Sequence, residues 1–239
     1  MKNISLIFCL LLTFFQRFSY SQNDQSKDDW ANLKKYAAAN KNLPPKAAGE
    51  DRIVFMGNSI TEFWATIDSS FFANKAYINR GISGQTSPQM LLRFRQDVIN
   101  LKPSVVVILA GINDIAENTG PIALEDILGN IISMAELAKQ NKIKLILSSV
   151  LPANKFPWHP GLLPADKVIK LNSMIKLYCQ ENNIEYVDYY SEMVDDRKGL
   201  DKRFTDDGVH PTKAGYKIME PLIEKAIKRV LAKPNTIYK

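Results

Sequence analysis

Cysteine and histidine are both scarce in this chain, which has two of each among its 239 residues. Cys9 lies in the apolar N-terminal stretch, and Cys179 alone cannot form an internal disulfide, so a disulfide scaffold is excluded. The Cys-x-x-Cys and His-Glu-x-x-His patterns of common zinc sites do not occur either. Any reaction that needs an imidazole as a base can use only His159 or His210.

A long hydrophobic run is also missing, since no stretch approaches the roughly 20 uninterrupted apolar residues of a membrane-spanning helix. Residues 4–15 form a shorter apolar run behind Lys2, and Ser19 and Ser21 supply the small residues of a cleavage site. This pattern is typical of a secretory signal peptide over residues 1–21, cleaved after Ser21, with an uncleaved interfacial anchor as the alternative. We therefore expect a secreted or periplasmic protein without stable membrane insertion.

Strong net charge is absent as well. Removal of the signal peptide takes away Lys2 and Arg17 and no acid, which leaves 29 basic against 25 acidic residues and lowers the net charge from +6 to +4. The basic residues are scattered among acids, without a basic block interleaved with aromatic residues. A nucleic-acid partner is therefore not expected.

Short apolar runs rich in β-forming residues alternate with longer amphipathic runs along the rest of the chain. The predicted strands are residues 53–56, 77–79, 105–110, 143–150 and 184–187. The predicted helices are residues 88–101, 121–140, 165–182 and 212–231, with a less clearly bounded helix after Ser59. This alternation predicts an α/β fold, a three-layer α/β/α domain with a doubly wound sheet of five parallel strands.

The predicted domain covers residues 51–232, and a lead-in segment of residues 22–50 precedes it. In this segment Trp30, Leu33 and Tyr36 recur at helical spacing, which predicts a lead-in helix. In doubly wound folds, ligands bind at the carboxyl ends of the strands. The residues that follow each strand are therefore the candidates for chemistry.

His210 follows an acidic turn in the segment Asp206-Asp207-Gly208-Val209-His210. Asp207, three residues upstream, can curl back through the glycine and hold one imidazole nitrogen, which fixes the tautomer of a general base. The alternative is a solvated turn before a helix capped by Thr212.

Ser59 follows the first strand, which breaks at Gly57, and begins the next helix. At this position the hydroxyl and the backbone N–H lie near the positive end of the helix, which would stabilise an oxygen that gains negative charge. The alternative is a capping box, because Ser59-x-x-Glu62 is also the signature of a serine that satisfies a free backbone N–H.

Two further loops, residues 79–86 and 111–114, follow the second and third strands. A glycine lets its backbone N–H approach an oxyanion closely, and Asn113 supplies a neutral amide donor. Taken singly, such residues are usually turn formers. Together they are the equipment that acyl transfer requires.

The chain resembles the SGNH hydrolases, also called GDSL-type esterases and lipases, in four ordered blocks. These blocks are Gly57-Asn58-Ser59, residues 81–86, Gly111-x-Asn113-Asp114 and Asp207-x-x-His210. The resemblance implies a flavodoxin-like sheet and no cofactor or metal. It implies that Ser59 is the nucleophile, His210 the base and Asp207 the residue that orients the base. It also implies an oxyanion hole of the Ser59 N–H, the Gly84 N–H and the Asn113 amide.

Two residues depart from the family pattern, because Asn58 and Gln85 stand where the family usually has aspartate. The Gly-x-Ser-x-Gly elbow of α/β-hydrolases is absent around Ser59, which argues against that fold. A metal site at His210 with Asp206 and Asp207 is a weaker alternative, and a non-catalytic ligand-binding module is another.

The expected substrate is a small-molecule or glycan ester with a short acyl group, such as an O-acetylated carbohydrate, because no long apolar segment suggests an acyl-chain lid. Lysophospholipids and other lipid esters are the alternative. In the proline-rich loop of residues 152–164, Trp158 and His159 are candidate substrate contacts, as is Asn58 beside the serine. The alternative for the loop is a surface segment anchored by a buried tryptophan.

Overall fold

The structure, a computed structural model, describes residues 29–233. The predicted signal peptide lies outside the described residues. The predicted division between residues 50 and 51 stays a prediction.

Five parallel strands form one sheet at the centre of the molecule. They are β1 (Ile53–Gly57), β2 (Tyr77–Gly81), β3 (Val105–Leu109), β4 (Lys144–Ser148) and β5 (Glu185–Val187). Their spatial order is β2-β1-β3-β4-β5, so the connections run outward in opposite directions from β1 and β3. Such a switch point opens a crevice at the carboxyl ends of the two strands. The predicted five-stranded parallel sheet is confirmed.

Helices flank the sheet and complete the three-layer α/β/α fold. They are α1 (Ala37–Lys41), α2 (Ser59–Ile67), α3 (Ser69–Phe72), α4 (Ser87–Asp97), α5 (Ile112–Ile115), α6 (Leu124–Gln140), α7 (Ala165–Glu181), α8 (Tyr190–Met193) and α9 (Lys213–Ala232). The predicted helix over residues 88–101 ends early, and a separate 3₁₀ turn follows at Ile99–Leu101. Lys102, with φ of 51°, reverses the chain there.

The predicted lead-in helix is present only as α1. Upstream of it the chain forms turns, in which the Asp29 carboxylate accepts hydrogen bonds from the backbone N–H groups of Leu33 (2.7 Å) and Lys34 (3.0 Å). Asn32 has a φ of 52°, a left-handed conformation that interrupts a right-handed helix. The helical spacing of the apolar residues was therefore overridden by the hydrogen bonds of the Asp29 carboxylate and by the left-handed backbone of Asn32.

An aromatic cluster joins α2 to α9 and to the sheet. The Trp64 ring stacks on Phe71 at 4.7 Å and on Tyr216 at 5.2 Å, and it meets Phe55 of β1 edge-on at 6.0 Å. The Tyr216 hydroxyl donates a hydrogen bond to the Ile60 carbonyl at 2.8 Å. Each aromatic pair contributes about 0.5–1.5 kcal/mol beyond its buried area. The cluster therefore fixes the first turn of α2 against the start of α9.

Candidate active site

Ser59 is the first residue of α2, directly beyond the carboxyl end of β1. The helix begins so close to the strand that a Cβ on Gly57 would lie 2.1 Å from the Thr61 hydroxyl oxygen, which requires glycine there. The cap of the helix is Asn58, whose side-chain oxygen accepts from the Ile60 N–H at 3.0 Å. The Ser59 hydroxyl is therefore not needed as a cap.

The capping-box alternative is wrong for a second reason. The Glu62 carboxylate reaches out of the helix and accepts from the backbone N–H and the hydroxyl of Ser83, at 2.7 and 2.6 Å. Lys35 pairs with the same carboxylate at 2.7 Å. Glu62 thus ties α2 to the loop after β2 instead of closing its own helix terminus.

Ser59 and His210 meet although 151 residues separate them, with 2.9 Å between the Ser59 Oγ and the His210 Nε2. The other ring nitrogen, Nδ1, lies 2.6 Å from an oxygen of Asp207. A carboxylate at Nδ1 keeps the proton there, so that Nε2 is free to accept the hydroxyl proton. The three predicted residues form one continuous hydrogen-bonded chain.

The turn of residues 205–210 builds the acid and the base as a unit. One Asp207 oxygen accepts from the N–H groups of Val209 and His210, both at 2.8 Å, and Gly208 permits the turn with a φ of 86°. Burial tends to raise the pKa of the Asp207 carboxyl, but the hydrogen bonds from the His210 ring and from these two N–H groups lower it below its ordinary value.

The turn expected from the alternative interpretation therefore exists, and it holds the imidazole. The cap at Thr212 is not formed, because its side chain makes no capping hydrogen bond to α9. Among the described residues, the Asp206 side chain has no hydrogen bond or ion pair. In the same part of the chain, no group of three or more His, Cys, Asp or Glu side chains could hold a metal ion.

The two predicted oxyanion donors outside α2 lie side by side, Gly84 in the loop after β2 and Asn113 in the short helix α5 that replaces the predicted loop after β3. Gly84 has a φ of 76°, and a Cβ there would meet nothing within 4 Å, so conformation and not space favours glycine. Asn113 is buried, and its amide nitrogen donates to the Gln85 carbonyl at 3.0 Å. An amide carries two N–H groups, so a second donor accompanies the one used for this contact.

Asp114 fixes the loop after β3 and was not given a role from the sequence. Its carboxylate is buried and accepts from the Ser87 N–H (2.9 Å) and the Ser87 hydroxyl (2.6 Å) at the start of α4. Asn130 of α6 donates to the same hydroxyl at 3.1 Å. Burial raises the pKa of the Asp114 carboxyl, and the bonds from Ser87 oppose this shift.

Trp158 and His159 lie in the exposed loop beyond β4. The Trp158 ring is 46% exposed, stacks on the buried Phe156 at 5.2 Å and lies 6.3 Å from the His210 ring. The His159 Nδ1 lies 3.1 Å from the Ala116 carbonyl. The expectation of a loop anchored by a buried tryptophan is wrong, because Phe156 is the anchor.

A second exposed aromatic residue, Phe63 of α2, was missed from the sequence. Its ring lies 5.4 Å from the His210 ring and is 37% exposed. A lone apolar residue on the outer face of a helix gives no signal by itself, because single exposed apolar residues are common. Asn58, in contrast, is buried as the cap of α2, and its role as a substrate contact stays a prediction.

Comparison with known proteins gives a consistent result. Residues 55–218 match the model of the GDSL-like Lipase/Acylhydrolase family. The chain is 54% identical to a GDSL-like lipase of known structure from Bacteroides thetaiotaomicron, with a TM-score of 0.82 over 84% of this chain and 98% of that one.

Two curated proteins are also similar. An acetylxylan esterase of Xylanibacter ruminicola is 25% identical over 224 residues, which cover 79% of this chain and 45% of the esterase. An uncharacterized lipoprotein of Bacillus subtilis is 33% identical over 82 residues, which cover 33% of this chain and 34% of the lipoprotein. The chain thus spans less than half the length of either curated relative. Over residues 29–233, no helix is long and apolar enough to cross a membrane.

Proposed function

Because this chain belongs to the GDSL-like lipase/acylhydrolase family, we propose that it is a serine esterase that hydrolyses carboxylic esters through an acyl-serine intermediate. The observation that carries the proposal is the hydrogen-bonded chain from the Ser59 hydroxyl through His210 to Asp207. This arrangement matches the nucleophile, base and orienting acid of acyl transfer.

In the proposed reaction, the Ser59 Oγ attacks the ester carbonyl while the His210 Nε2 accepts the hydroxyl proton. The N–H groups of Ser59 and Gly84 and the Asn113 amide stabilise the negative oxygen of the tetrahedral intermediate. The intermediate collapses, and His210 returns the proton to the leaving alcohol. Water, deprotonated by His210, then attacks the acyl-serine, and the acid is released as His210 returns the proton to the Ser59 Oγ.

Asp207 would act electrostatically throughout. Its lowered pKa keeps it a carboxylate, which stabilises the imidazolium that forms in each half of the reaction.

For the substrate, we propose short-acyl esters of carbohydrates, with acetyl groups first. Phe63 and Trp158 place two exposed aromatic rings beside His210, and aromatic faces provide apolar contact area for a sugar ring. The similarity to an acetylxylan esterase supports the same class. The second candidate is a lipid ester, favoured by the apolar character of these rings and of Leu163, which is 81% exposed.

We also propose export from the cytoplasm, on the basis of the sequence of residues 1–21 and the similarity to a lipoprotein. N-terminal sequencing of the protein recovered outside the cytoplasm tests this location. A mature chain that begins at Gln22 is expected, and an intact Met1 would contradict it.

The test of the activity uses a fluorophosphonate probe on the wild type and Ser59→Ala. Labelling of the wild type alone is expected because only an activated hydroxyl reacts. Equal labelling of both proteins would refute the assignment of Ser59, and no labelling of either would favour a non-catalytic binding module.

The substrate class is tested by comparing acetylated xylo-oligosaccharides with lysophospholipids, and acetyl with dodecanoyl nitrophenyl esters. Higher kcat/KM for the acetyl compounds is expected. A preference for the dodecanoyl ester and the lysophospholipid would establish the lipid alternative.

A further inference from the structure

The buried guanidinium of Arg93 in α4 joins the end of β1 to the loop after β2 at the site. Its Nη2 donates to the Gly57 carbonyl at 2.9 Å, and its Nε donates to the side-chain oxygen of Gln85 at 2.5 Å. Its Nη1 pairs with Asp97 at 3.1 Å. Both charged side chains are fully buried, so these contacts are shielded from water.

The contacts of Arg93 with Gly57 and Gln85 lie next to the proposed oxyanion donors. Gly57 is two residues before Ser59. Gln85 directly follows Gly84, and its own carbonyl accepts the Asn113 amide. The planar guanidinium of Arg93, whose N–H groups have a fixed fork geometry, therefore connects the segments that carry the three proposed oxyanion donors.

Stability alone does not account for such a group. Burial lowers the pKa of the Arg93 guanidinium, which reflects the cost of removing the charge from water, and Asp97 offsets part of this cost. Well-packed apolar residues often replace a buried ion pair without loss of stability. The fork geometry of Arg93, in contrast, cannot be reproduced by an apolar side chain.

Gln85 extends the connection to the N-terminal strap, which we define as residues 29–42. The Gln85 amide donates to the Ala31 carbonyl at 2.7 Å. Gln89 and Gln96 of α4 hold the strap in the same way, through the carbonyls of Trp30 (2.7 Å) and Leu33 (2.6 Å). Of these three glutamine side chains, only that of Gln85 hydrogen-bonds the Arg93 side chain among the described residues.

We infer that Arg93 and Gln85 are positioning residues that set the distance between Ser59 and the loop that carries Gly84. This inference rests on the proposed function and deepens it, since it concerns the oxyanion site of that reaction. Neither residue contacts the reacting atoms. A glutamine where aspartate is usual has a role here, because its side-chain oxygen accepts from Arg93 while its amide nitrogen donates to the strap.

The test replaces Gln85 by methionine, which has similar length but no hydrogen bond to Arg93. The oxyanion exists only after attack on the carbonyl, so a misplaced donor lowers kcat more than it changes KM. We expect kcat for a nitrophenyl acetate to fall about 10- to 100-fold, with KM within about twofold of the wild type. The rate of fluorophosphonate labelling should fall in parallel.

The matched control is Gln96→Met, which removes one strap bond of the same kind, the bond from α4 to the Leu33 carbonyl, and leaves the hydrogen bond between Gln85 and Arg93 in place. It should keep wild-type kcat. The conservative variant Gln85→Glu restores an acceptor for Arg93, and its kcat should recover most of the loss. Circular dichroism melts establish that each variant is folded at the assay temperature. If Gln85→Met is not folded, Gln85→Asn, one methylene shorter, takes its place with the same expected split.

Wild-type kcat in the folded Gln85 variant would overturn the inference, and so would an equal loss in Gln96→Met or no recovery in Gln85→Glu. Ser59→Ala, assayed beside them, separates the two levels of the proposal. If Ser59→Ala is inactive and the Gln85 variant is normal, only the positioning role fails. If Ser59→Ala is fully active, the proposed function fails.

Discussion

The replacement Asp207→Asn tests the proposed base most directly. In the structure one Asp207 oxygen accepts two backbone N–H groups and the other accepts the His210 Nδ1 proton. Asparagine can keep the first oxygen in place, but its amide then presents N–H groups to Nδ1. The imidazole must turn to the tautomer that carries its proton on Nε2, which cannot accept a proton from Ser59.

The expected loss follows from this change of tautomer. An equivalent replacement in a serine triad costs about 10⁴-fold in kcat, or about 5 kcal/mol of transition-state stabilisation. The backbone bonds of the turn are kept, so the melting temperature should change little. The assay is steady-state hydrolysis of a nitrophenyl acetate over a range of pH.

Asp206→Asn is the matched control, since the neighbouring acid lies in the same turn and makes no contact with His210. Its kcat should equal that of the wild type. A decrease of less than about 10-fold in Asp207→Asn would refute the role of Asp207. So would an equal decrease in the two variants, which would indicate a general effect of charge in the turn.

Three further predictions concern Asn113 of the proposed oxyanion hole, the close packing at the ends of the strands and the effect of acid on stability. Asn113→Ala should lower kcat about 100- to 1000-fold in a folded protein, and steady-state kinetics with wild-type activity would contradict the assignment. Gly81→Ala should destabilise the fold by about 3 kcal/mol in urea unfolding, because the new Cβ would lie 2.1 Å from the Glu62 backbone nitrogen. Gly129→Ala is the control: its new Cβ would meet no atom within 4 Å, so it should stabilise the fold by about 0.5–1 kcal/mol. Hydrogen bonds from Lys217 and Ser70 lower the pKa of Asp68 to about 2, so its stabilising contribution is present above the ordinary pKa of an aspartate and is lost as the pH falls toward 2. The free energy of unfolding should therefore differ less between pH 7 and pH 3 in Asp68→Asn than in the wild type. The same difference in both proteins would contradict this.

The sheet could be predicted from the sequence because its strands are continuous apolar runs bounded by turn residues. The runs at 53–56 and 105–110 have this form, and the corresponding strands are buried throughout. Strand direction then placed Ser59 and Asn113 at the same sheet edge. The pairing of Ser59 with His210 came instead from the resemblance to a known family in four ordered motif blocks.

Contacts between distant segments could not be predicted in this way. Arg93 is one of several charged residues on an amphipathic helix, and only the packing of α4 against the loops buries it. Phe63 and Trp158 come together beside His210 from different elements. Trp158 was a candidate because its proline-rich loop follows the fourth strand, whereas Phe63 has no signal in its own segment. The turns before α1 were missed because a single left-handed asparagine outweighed regular apolar spacing.

The separation of 151 residues between Ser59 and His210 has a consequence for the order of events during folding. The proposed nucleophile begins the helix after the first strand, while its proposed base precedes the final helix, so the pair exists only when both ends of the domain have docked. During refolding, esterase activity should be the last property to return, at the same time as the contact between Trp64 and Tyr216 forms. Enzyme activity would then be a kinetic reporter of complete assembly, while far-ultraviolet ellipticity would rise earlier.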